Sequence, residues 1–155
     1  MKLSYLFVIC YLVCVNALAQ TESQRAATFN LNKKVAIQGY DPVAYQTGQE
    51  AQKGKKSIAA THQGITYYFA AESNKQLFLG NPAKYEPVYG GWCAYAMGKT
   101  GDKVKVDPET FKVIDGQLYL FYNFFFNNTL EDWNEDETAL KKQADQNWGQ
   151  LLSKS

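Results

Sequence analysis

The dipeptide Asp115-Gly116 is the feature of this sequence that most narrows the folds open to it. Asp-Gly is typical of two-residue β-hairpin turns, because both residue types tolerate the positive φ angles that such turns require. Strand-forming residues flank it on both sides, in segments 111–114 and 117–122. The sequence therefore predicts an antiparallel hairpin with strands Phe111–Ile114 and Gln117–Tyr122.

A second hairpin is predicted earlier in the chain, around His62-Gln63-Gly64. Its strands are Ser57–Thr61 and Ile65–Ala70, and the second of these is rich in strand-forming aromatic residues. Directly afterwards, Ser73 and Gln76 stand three residues apart and match a capping box. This spacing predicts a short helix that begins at Ser73.

Helical patterns fill the last third of the chain. We expect a helix that is capped by Asn123 or Asn127 and contains Trp133, followed by a longer one from about Asp136 to Leu152. The longer helix places its apolar side chains on one stripe: Leu140, Ala144, Trp148, Leu151 and Leu152. The predicted fold class is α+β, with a small antiparallel sheet of short hairpin strands. This sheet packs with a short helix that carries Cys93 and with two C-terminal helices.

The N-terminal segment has the pattern of a secretory signal peptide. Lys2 precedes the apolar run Leu3–Val15, and Ala17-Leu18-Ala19 has the small-residue spacing of a cleavage site. We therefore expect an exported protein, either periplasmic or secreted. Residues 1–19 are predicted as the signal peptide, 20–29 as a loose polar lead-in, and 30–152 as a single domain.

The charge balance gives no indication of binding to nucleic acid or to anionic lipid. The chain has 16 basic and 15 acidic residues, and removal of the signal takes away only Lys2. The mature chain would then be formally neutral, without the basic surface that nucleic-acid binding requires. We expect no stable membrane insertion after signal cleavage, and the sequence does not identify a protein partner.

Cys93 would be the only cysteine left after cleavage, since Cys10 and Cys14 lie within the signal. No intramolecular disulfide would then be possible, although exported proteins commonly form them. A lone exported thiol is buried and inert, a metal ligand, or a reactive group. The sequence leaves all three interpretations open.

A soft-metal site is one candidate for the chemistry of this segment. On a helix, Cys93 and Met97 would lie about one turn apart on the same face, and a thiolate with a thioether suits Cu(I). His62, the only histidine, would complete a three-coordinate site if its hairpin folds over this turn. The alternative is that Met97 fills the core and His62 is an ordinary turn residue. Copper or another soft metal ion is the candidate cofactor; otherwise none is expected.

An enzymatic thiol is a further alternative. Cys93 would be the nucleophile at the start of a helix, and His62 would have to lie within hydrogen-bond reach as its base. The mature chain would hold no second cysteine for a dithiol mechanism. We assign no catalytic residues, and we favour a protein that is not an enzyme.

Five aromatic residues in turns rich in glycine and proline are candidates for a small-ligand pocket. They are Tyr40, Tyr45, Tyr89, Trp92 and Tyr95. The alternative is that these rings form an aromatic core that holds short strands together.

Several motifs, in this order and spacing, resemble those of a known family. They are Gly39-Tyr40-Asp41-Pro42-Val43-Ala44-Tyr45, His62-x-Gly64-x-x-Tyr67-x-Phe69, Asn81-Pro82-x-Lys84-Tyr85-x-Pro87, Tyr89-Gly90-Gly91-Trp92-Cys93-Ala94-Tyr95, Val113-x-Asp115-Gly116-x-Leu118-Tyr119-Leu120, Trp133 and Ala144-Asp145-x-x-Trp148. The chain resembles exported bacterial YHS domain-containing proteins of the long form, over residues 30–152.

The resemblance implies metal binding, because the short YHS module is regarded as a metal-binding module attached to copper-transporting ATPases and some oxygenases. Ala44 and Ala70-Ala71 stand where the short module has its usual cysteines. Cys93 is the thiol that the longer form offers instead. The predicted function is therefore soft-metal binding through Cys93. The alternatives are a non-catalytic aromatic-pocket module for a small ligand or an envelope partner and, third, a thiol enzyme.

Overall fold

The computed structural model describes residues 22–154 and has the predicted α+β single-domain character. Its helices are α1 (22–28), α2 (Ala44–Thr47), α3 (Glu72–Gly80), α4 (Pro82–Tyr85), α5 (Ala94–Lys99), α6 (Thr129–Glu135) and α7 (Glu137–Ser153). Its strands are β1 (Leu31–Asn32), β2 (Val35–Ala36), β3 (Lys55–His62), β4 (Ile65–Phe69), β5 (Asp107–Ile114), β6 (Gln117–Phe121), β7 (Asn123–Phe124) and β8 (Asn127–Asn128). The 3-10 turns Ile37–Gly39 and Val88–Gly91 connect these elements. The predicted signal peptide lies outside the described residues.

Both predicted hairpins are confirmed. Strands β5 and β6 pair antiparallel around Asp115-Gly116, whose φ angles are 51° and 74°. Strands β3 and β4 pair around Gln63-Gly64, whose φ angles are 46° and 78°. The larger sheet has the order β1-β2-β4-β3, with β2 parallel to β4, while β5-β6 and β7-β8 form separate two-stranded sheets.

The C-terminal helices are confirmed, but the first one has a different cap. The Asn128 side chain accepts a hydrogen bond from the Leu130 amide at 3.2 Å, and this bond caps α6. The predicted caps Asn123 and Asn127 are wrong, because both residues pair within the β7-β8 ribbon. Helix α7 is capped by Asp136, whose carboxylate accepts from the Ala139 amide at 3.4 Å.

Two further local predictions are corrected by the structure. The capping box at Ser73 is wrong, because α3 begins at Glu72 after Ala71 and no side chain caps it. The lead-in predicted over residues 20–29 is not loose in its described part. Residues 22–28 are helical, and the Arg25 guanidinium there lies 2.6 Å from the Glu86 carboxylate. Burial of Thr28, which is 4 % exposed, also ties this helix to the fold.

Buried side chains form two adjoining clusters. One joins the larger sheet to α3 and includes Tyr45, Tyr67, Phe69, Phe78 and Cys93. The other lies between β6 and the C-terminal helices and includes Tyr89, Met97, Phe121, Trp133 and Ala144. Helices α5 and α7 approach closely at Gly98, where an added Cβ atom would lie 2.6 Å from the Leu140 carbonyl oxygen. Only glycine fits at that crossing.

Asp41 fixes the turn before α2 against β4 and α3. Its side chain is fully buried and accepts three hydrogen bonds, each 2.8 Å long. The donors are the backbone amides of Val43 and Ala70 and the side-chain amide of Asn74. A buried carboxylate is tolerated when donors of this kind replace its water shell.

Candidate functional site

Cys93 is the residue directly before α5, and its side chain is fully buried. Its sulfur accepts a hydrogen bond from the Tyr122 amide at 3.4 Å and lies 3.4 Å from the Thr129 hydroxyl. That hydroxyl donates to the Tyr122 carbonyl oxygen at 2.9 Å, which leaves its own oxygen able to accept from the thiol. The Cys93 thiol, the Thr129 hydroxyl and the backbone N–H and C=O of Tyr122 therefore form a closed ring of hydrogen bonds.

The other two predicted metal ligands lie in different surroundings. Met97 is fully buried in the cluster that contains Trp133, whereas Cys93 belongs to the neighbouring cluster. His62 ends β3, and its ring centre lies 6.2 Å from that of Phe78. Neither hydrogen bond at the Cys93 sulfur involves these residues. Within residues 22–154, no three His, Cys, Asp or Glu side chains are grouped so that they would hold a metal ion.

The five predicted aromatic residues do not line one common pocket. Tyr45 is fully buried and donates to the Pro108 carbonyl oxygen, and Tyr40 is 8 % exposed and donates to Glu109. Burial and the Glu109 carboxylate raise the pKa of Tyr40 to about 12. The remaining three pack at one buried cluster but have different neighbours: the Trp92 indole donates to the Thr28 carbonyl, Tyr95 borders a cavity beside Cys93, and Tyr89 lines a separate groove.

The groove that contains Tyr89 is a candidate site, with a volume of about 460 Å³. Helix α1, the turn Val88–Gly91 and the end of α7 enclose it. Its apolar side chains are Phe29, Ala83, Pro87, Val88, Tyr89, Trp148 and Leu152. Its polar side chains are Gln24, Arg25, Thr28, Glu86 and Gln117. This size and this mixture of apolar walls with a few polar groups are typical of small-molecule sites.

The aromatic wall of the groove depends on Gly90. The Trp148 ring lies edge-on to Phe29 at 6.3 Å and to Tyr89 at 6.4 Å. A Cβ atom on Gly90 would lie 3.0 Å from Trp148 and 3.1 Å from Phe29, and the φ of this residue is +61°. Any side chain at position 90 would therefore push the two rings apart and strain the backbone.

Tyr89 also has a left-handed backbone, with φ 53°, which few non-glycine residues adopt. Its hydroxyl donates to the Asp145 carboxylate of α7 at 2.8 Å. Burial, followed by that hydrogen bond, raises the pKa of Tyr89 well above its ordinary value. The phenol therefore stays protonated and joins the turn to the helix across the base of the groove.

Arg25 is the principal polar group of the groove and the only arginine in the sequence. Its Nη2 lies 2.6 Å from both oxygens of Glu86, and Tyr67 donates to the same carboxylate at 2.6 Å. The guanidinium carbon lies 4.4 Å from the centre of the Phe29 ring. Burial, then the charge of Glu86, raises the pKa of Tyr67 far above its usual range, which keeps its hydroxyl a donor.

The second terminal nitrogen of Arg25 has no partner. Of the buried side-chain nitrogen and oxygen atoms in the described part of the chain, only Arg25 Nη1 lacks a hydrogen bond. A buried donor without an acceptor costs free energy, so such atoms call for an explanation. Arg25 lines the groove but Nη1 itself is shielded, so a ligand oxygen would supply the missing acceptor only after the guanidinium turns toward the groove.

Most residues of this groove were not predicted from the sequence. Arg25 and Phe29 lie in the segment taken as a lead-in, and Glu86 was not singled out. One signal was available: Arg25 and Phe29 are four residues apart, the spacing that places two side chains on one helix face. Trp148 was predicted on the apolar stripe of the last helix but not in a site.

Comparison with known proteins gives no further assignment. No protein-family model, no curated protein and no solved structure matches this chain.

Proposed function

We propose that this protein is a non-catalytic small-ligand-binding domain of the exported, long YHS type. Its binding site is the groove between α1, the turn Val88–Gly91 and α7. The ligand combines a flat apolar part, which packs on Trp148 and Phe29, with an oxygen that accepts from Arg25 Nη1. The observation that supports this proposal most directly is that Arg25, which lines this aromatic-walled groove, has a terminal nitrogen, Nη1, without a hydrogen-bond partner.

The choice of arginine at this position supports the same proposal. The chain has 15 lysines and one arginine, so lysine is its usual basic residue. Lysine would have supplied a positive charge at position 25 if charge were all that was needed. A guanidinium can hold Glu86 with one nitrogen and present a second, rigidly placed nitrogen to another acceptor, which an ammonium group does less well. The ion pair with Glu86 leaves the pocket formally uncharged, so either a carboxylate or a neutral carbonyl fits.

Three simple probes test the proposal: phenylacetate, phenylacetamide and ethylbenzene. We expect saturable shifts of the Trp148 indole NMR signal with the first two, at millimolar affinity, which corresponds to about −4 kcal/mol. Ethylbenzene, which lacks an acceptor, should bind at least several-fold more weakly.

Arg25→Met should reduce binding of phenylacetate about tenfold. Lys84→Met is the matched control, since Lys84 also stacks on a ring, that of Tyr85, outside the groove. Absence of saturable binding with all three probes would contradict the proposal.

Copper binding through Cys93 stays a prediction from the sequence, and it is tested separately. A cavity of about 270 Å³ bordered by Cys93, Tyr95, Lys99 and Thr129 gives a small ion room beside the thiol. The exported protein, purified without a histidine tag, is titrated anaerobically with Cu(I) beside Cys93→Ala, Met97→Leu and His62→Gln. Near-stoichiometric copper that is lost in Cys93→Ala supports the metal site. Equal, negligible copper in wild type and Cys93→Ala rejects it.

A further inference from the structure

The β7-β8 hairpin displays three consecutive phenylalanines to solvent. Phe124 is 43 % exposed, Phe125 is 93 % exposed and Phe126 is fully exposed at 111 % of the reference area. Single exposed apolar residues are ordinary on a protein surface, but a contiguous patch of large ones marks an interaction site. This patch lies apart from the ligand groove, whose lining includes none of the three.

The backbone of this turn is unfavourable for the residues that occupy it. Phe125 and Phe126 have φ angles of 53° and 65°, close to the 51° and 74° of Asp115 and Gly116 in the other hairpin. Turns of this type favour Asn-Gly or Asp-Gly, because a bulky side chain is strained at positive φ. The two phenylalanines therefore make this turn less stable than an Asn-Gly or Asp-Gly turn would be, and they place two aromatic rings in solvent.

Lysines border the two cavities beside the hairpin, while the helix that follows it begins with the acidic residues Glu131 and Asp132. One cavity beside it, of about 510 Å³, is bordered by Phe124, Phe125 and Lys105, and the cavity on the Asn127 side is bordered by Lys99. No carboxylate lines either cavity. The carboxylate bonded to the hairpin, Glu131, accepts from the Asn128 side chain at 3.0 Å at its base.

We propose that the tip Phe124–Phe126 inserts into the interfacial layer of a membrane that contains anionic lipid. Strands of two residues project the rings by roughly 7 Å, which matches the 5–10 Å to which peripheral elements penetrate. Lys99 and Lys105 then lie at the level of the headgroups, where each basic residue adds attraction. A convex tip of three rings suits a fluid partner better than a flat protein surface.

This contact is adsorption to a surface, which the small formal net charge of the whole chain, +1, does not oppose, because the basic residues are local. In the described residues, no helix is both long and apolar enough to cross a membrane. The inference is independent of the ligand groove and of Cys93.

The test is flotation of the exported protein with vesicles of phosphatidylethanolamine and phosphatidylglycerol at 7:3, and with pure phosphatidylcholine. The main variant is the double change Phe125→Asn with Phe126→Gly, which installs a favoured turn and so keeps the fold. We expect its partition onto the anionic vesicles to fall at least tenfold. Lys99→Gln with Lys105→Gln should weaken binding several-fold on anionic vesicles only.

Leu79→Ser is the matched control, because Leu79 is 47 % exposed on α3 and should leave flotation unchanged. All variants keep the same N-terminal segment, so it cannot account for a difference between them. As a second readout, Phe125→Trp should show fluorescence quenching by lipids brominated near the headgroup.

Equal flotation of wild type and the double variant would overturn the proposal. Concentration-dependent dimers that the double variant abolishes, without vesicle binding, would overturn it in favour of self-association.

Discussion

Asp41 and Arg25 are both ionic side chains inside the fold, yet their hydrogen bonding differs in a way that separates structure from binding. The Asp41 carboxylate accepts three bonds, two of them from backbone amides. The Arg25 guanidinium has a side-chain partner, Glu86, and one terminal nitrogen with none. The buried charge of Asp41, with its acceptors fully used, holds elements together, whereas the open donor of Arg25 is the feature on which we base the proposed ligand site.

The largest effect is expected at Asp41. Asp41→Ala leaves the buried amides of Val43 and Ala70 without acceptors, and we expect a loss of about 3 to 5 kcal/mol in the free energy of unfolding. Urea denaturation followed by circular dichroism measures it. Asp102→Ala, at an exposed carboxylate, is the control and should change stability by less than about 0.5 kcal/mol. A loss under about 1 kcal/mol for Asp41→Ala would remove the contrast between the two groups.

Arg25 should respond differently, because its partner is itself a side chain that can be changed. Arg25→Met leaves the Glu86 carboxylate, which is only 15 % exposed, without its counter-charge, and should cost about 2 kcal/mol. Adding Glu86→Gln should recover at least half of that loss, since it removes the unpaired charge and keeps an acceptor for the Tyr67 hydroxyl. Urea denaturation of the four members of this double-mutant cycle measures the recovery. No recovery would show that Arg25 stabilises the fold through other contacts.

Alkaline pH gives a third distinction, because a tyrosine donates to the Glu86 carboxylate. The pKa of Tyr67 is raised in the folded state, so its contribution to stability is complete below about pH 10 and is lost as pH rises further. Each such tyrosine gives a slope of about 1.4 kcal/mol per pH unit. Tyr67→Phe should reduce the slope measured between pH 10 and 11.5 by about that amount. Asn74→Ala, which affects only the Asp41 side, should leave the slope unchanged.

We expect Cys93, like Asp41, to contribute to the stability of the fold and not to ligand binding, with a smaller effect than Asp41. Its thiol is fully buried, and both of its hydrogen bonds join it to neighbours already in the fold. Cys93→Ala should therefore cost about 1 kcal/mol and leave phenylacetate binding in the groove unchanged. A marked loss of groove binding in this variant would show that the two sites are coupled.

The parts of the fold that were predicted are those specified by local sequence. Asp115-Gly116 and Gln63-Gly64 specify their hairpins through turn geometry, and the apolar stripe with Trp148 specifies α7. Helix α1 was missed because it has a polar composition and its ordering depends on contacts with residues more than sixty positions away. Local composition does not contain that information.

The site was harder to predict for the same reason. Tyr45 and Tyr89 both stand in sequence segments rich in turn residues and both are buried, yet only Tyr89 also lines the groove. Which ring faces a cavity depends on how α1 and α7 cover it. The cysteine attracted attention because it is chemically distinctive, whereas the unpartnered donor belongs to an arginine whose partner is known only from the folded chain.

The enclosure of the groove by α1 and α7 has a consequence for synthesis. Among the described residues, Arg25 is made before every strand and Trp148 after the last one, so the site cannot form before residue 148 has been added. Both sheets can pair their strands earlier, since β3 with β4 and β5 with β6 are neighbours in sequence. A compound held between Phe29 and Trp148 would therefore bind chains that have folded α7 into place and ignore chains that stop before it.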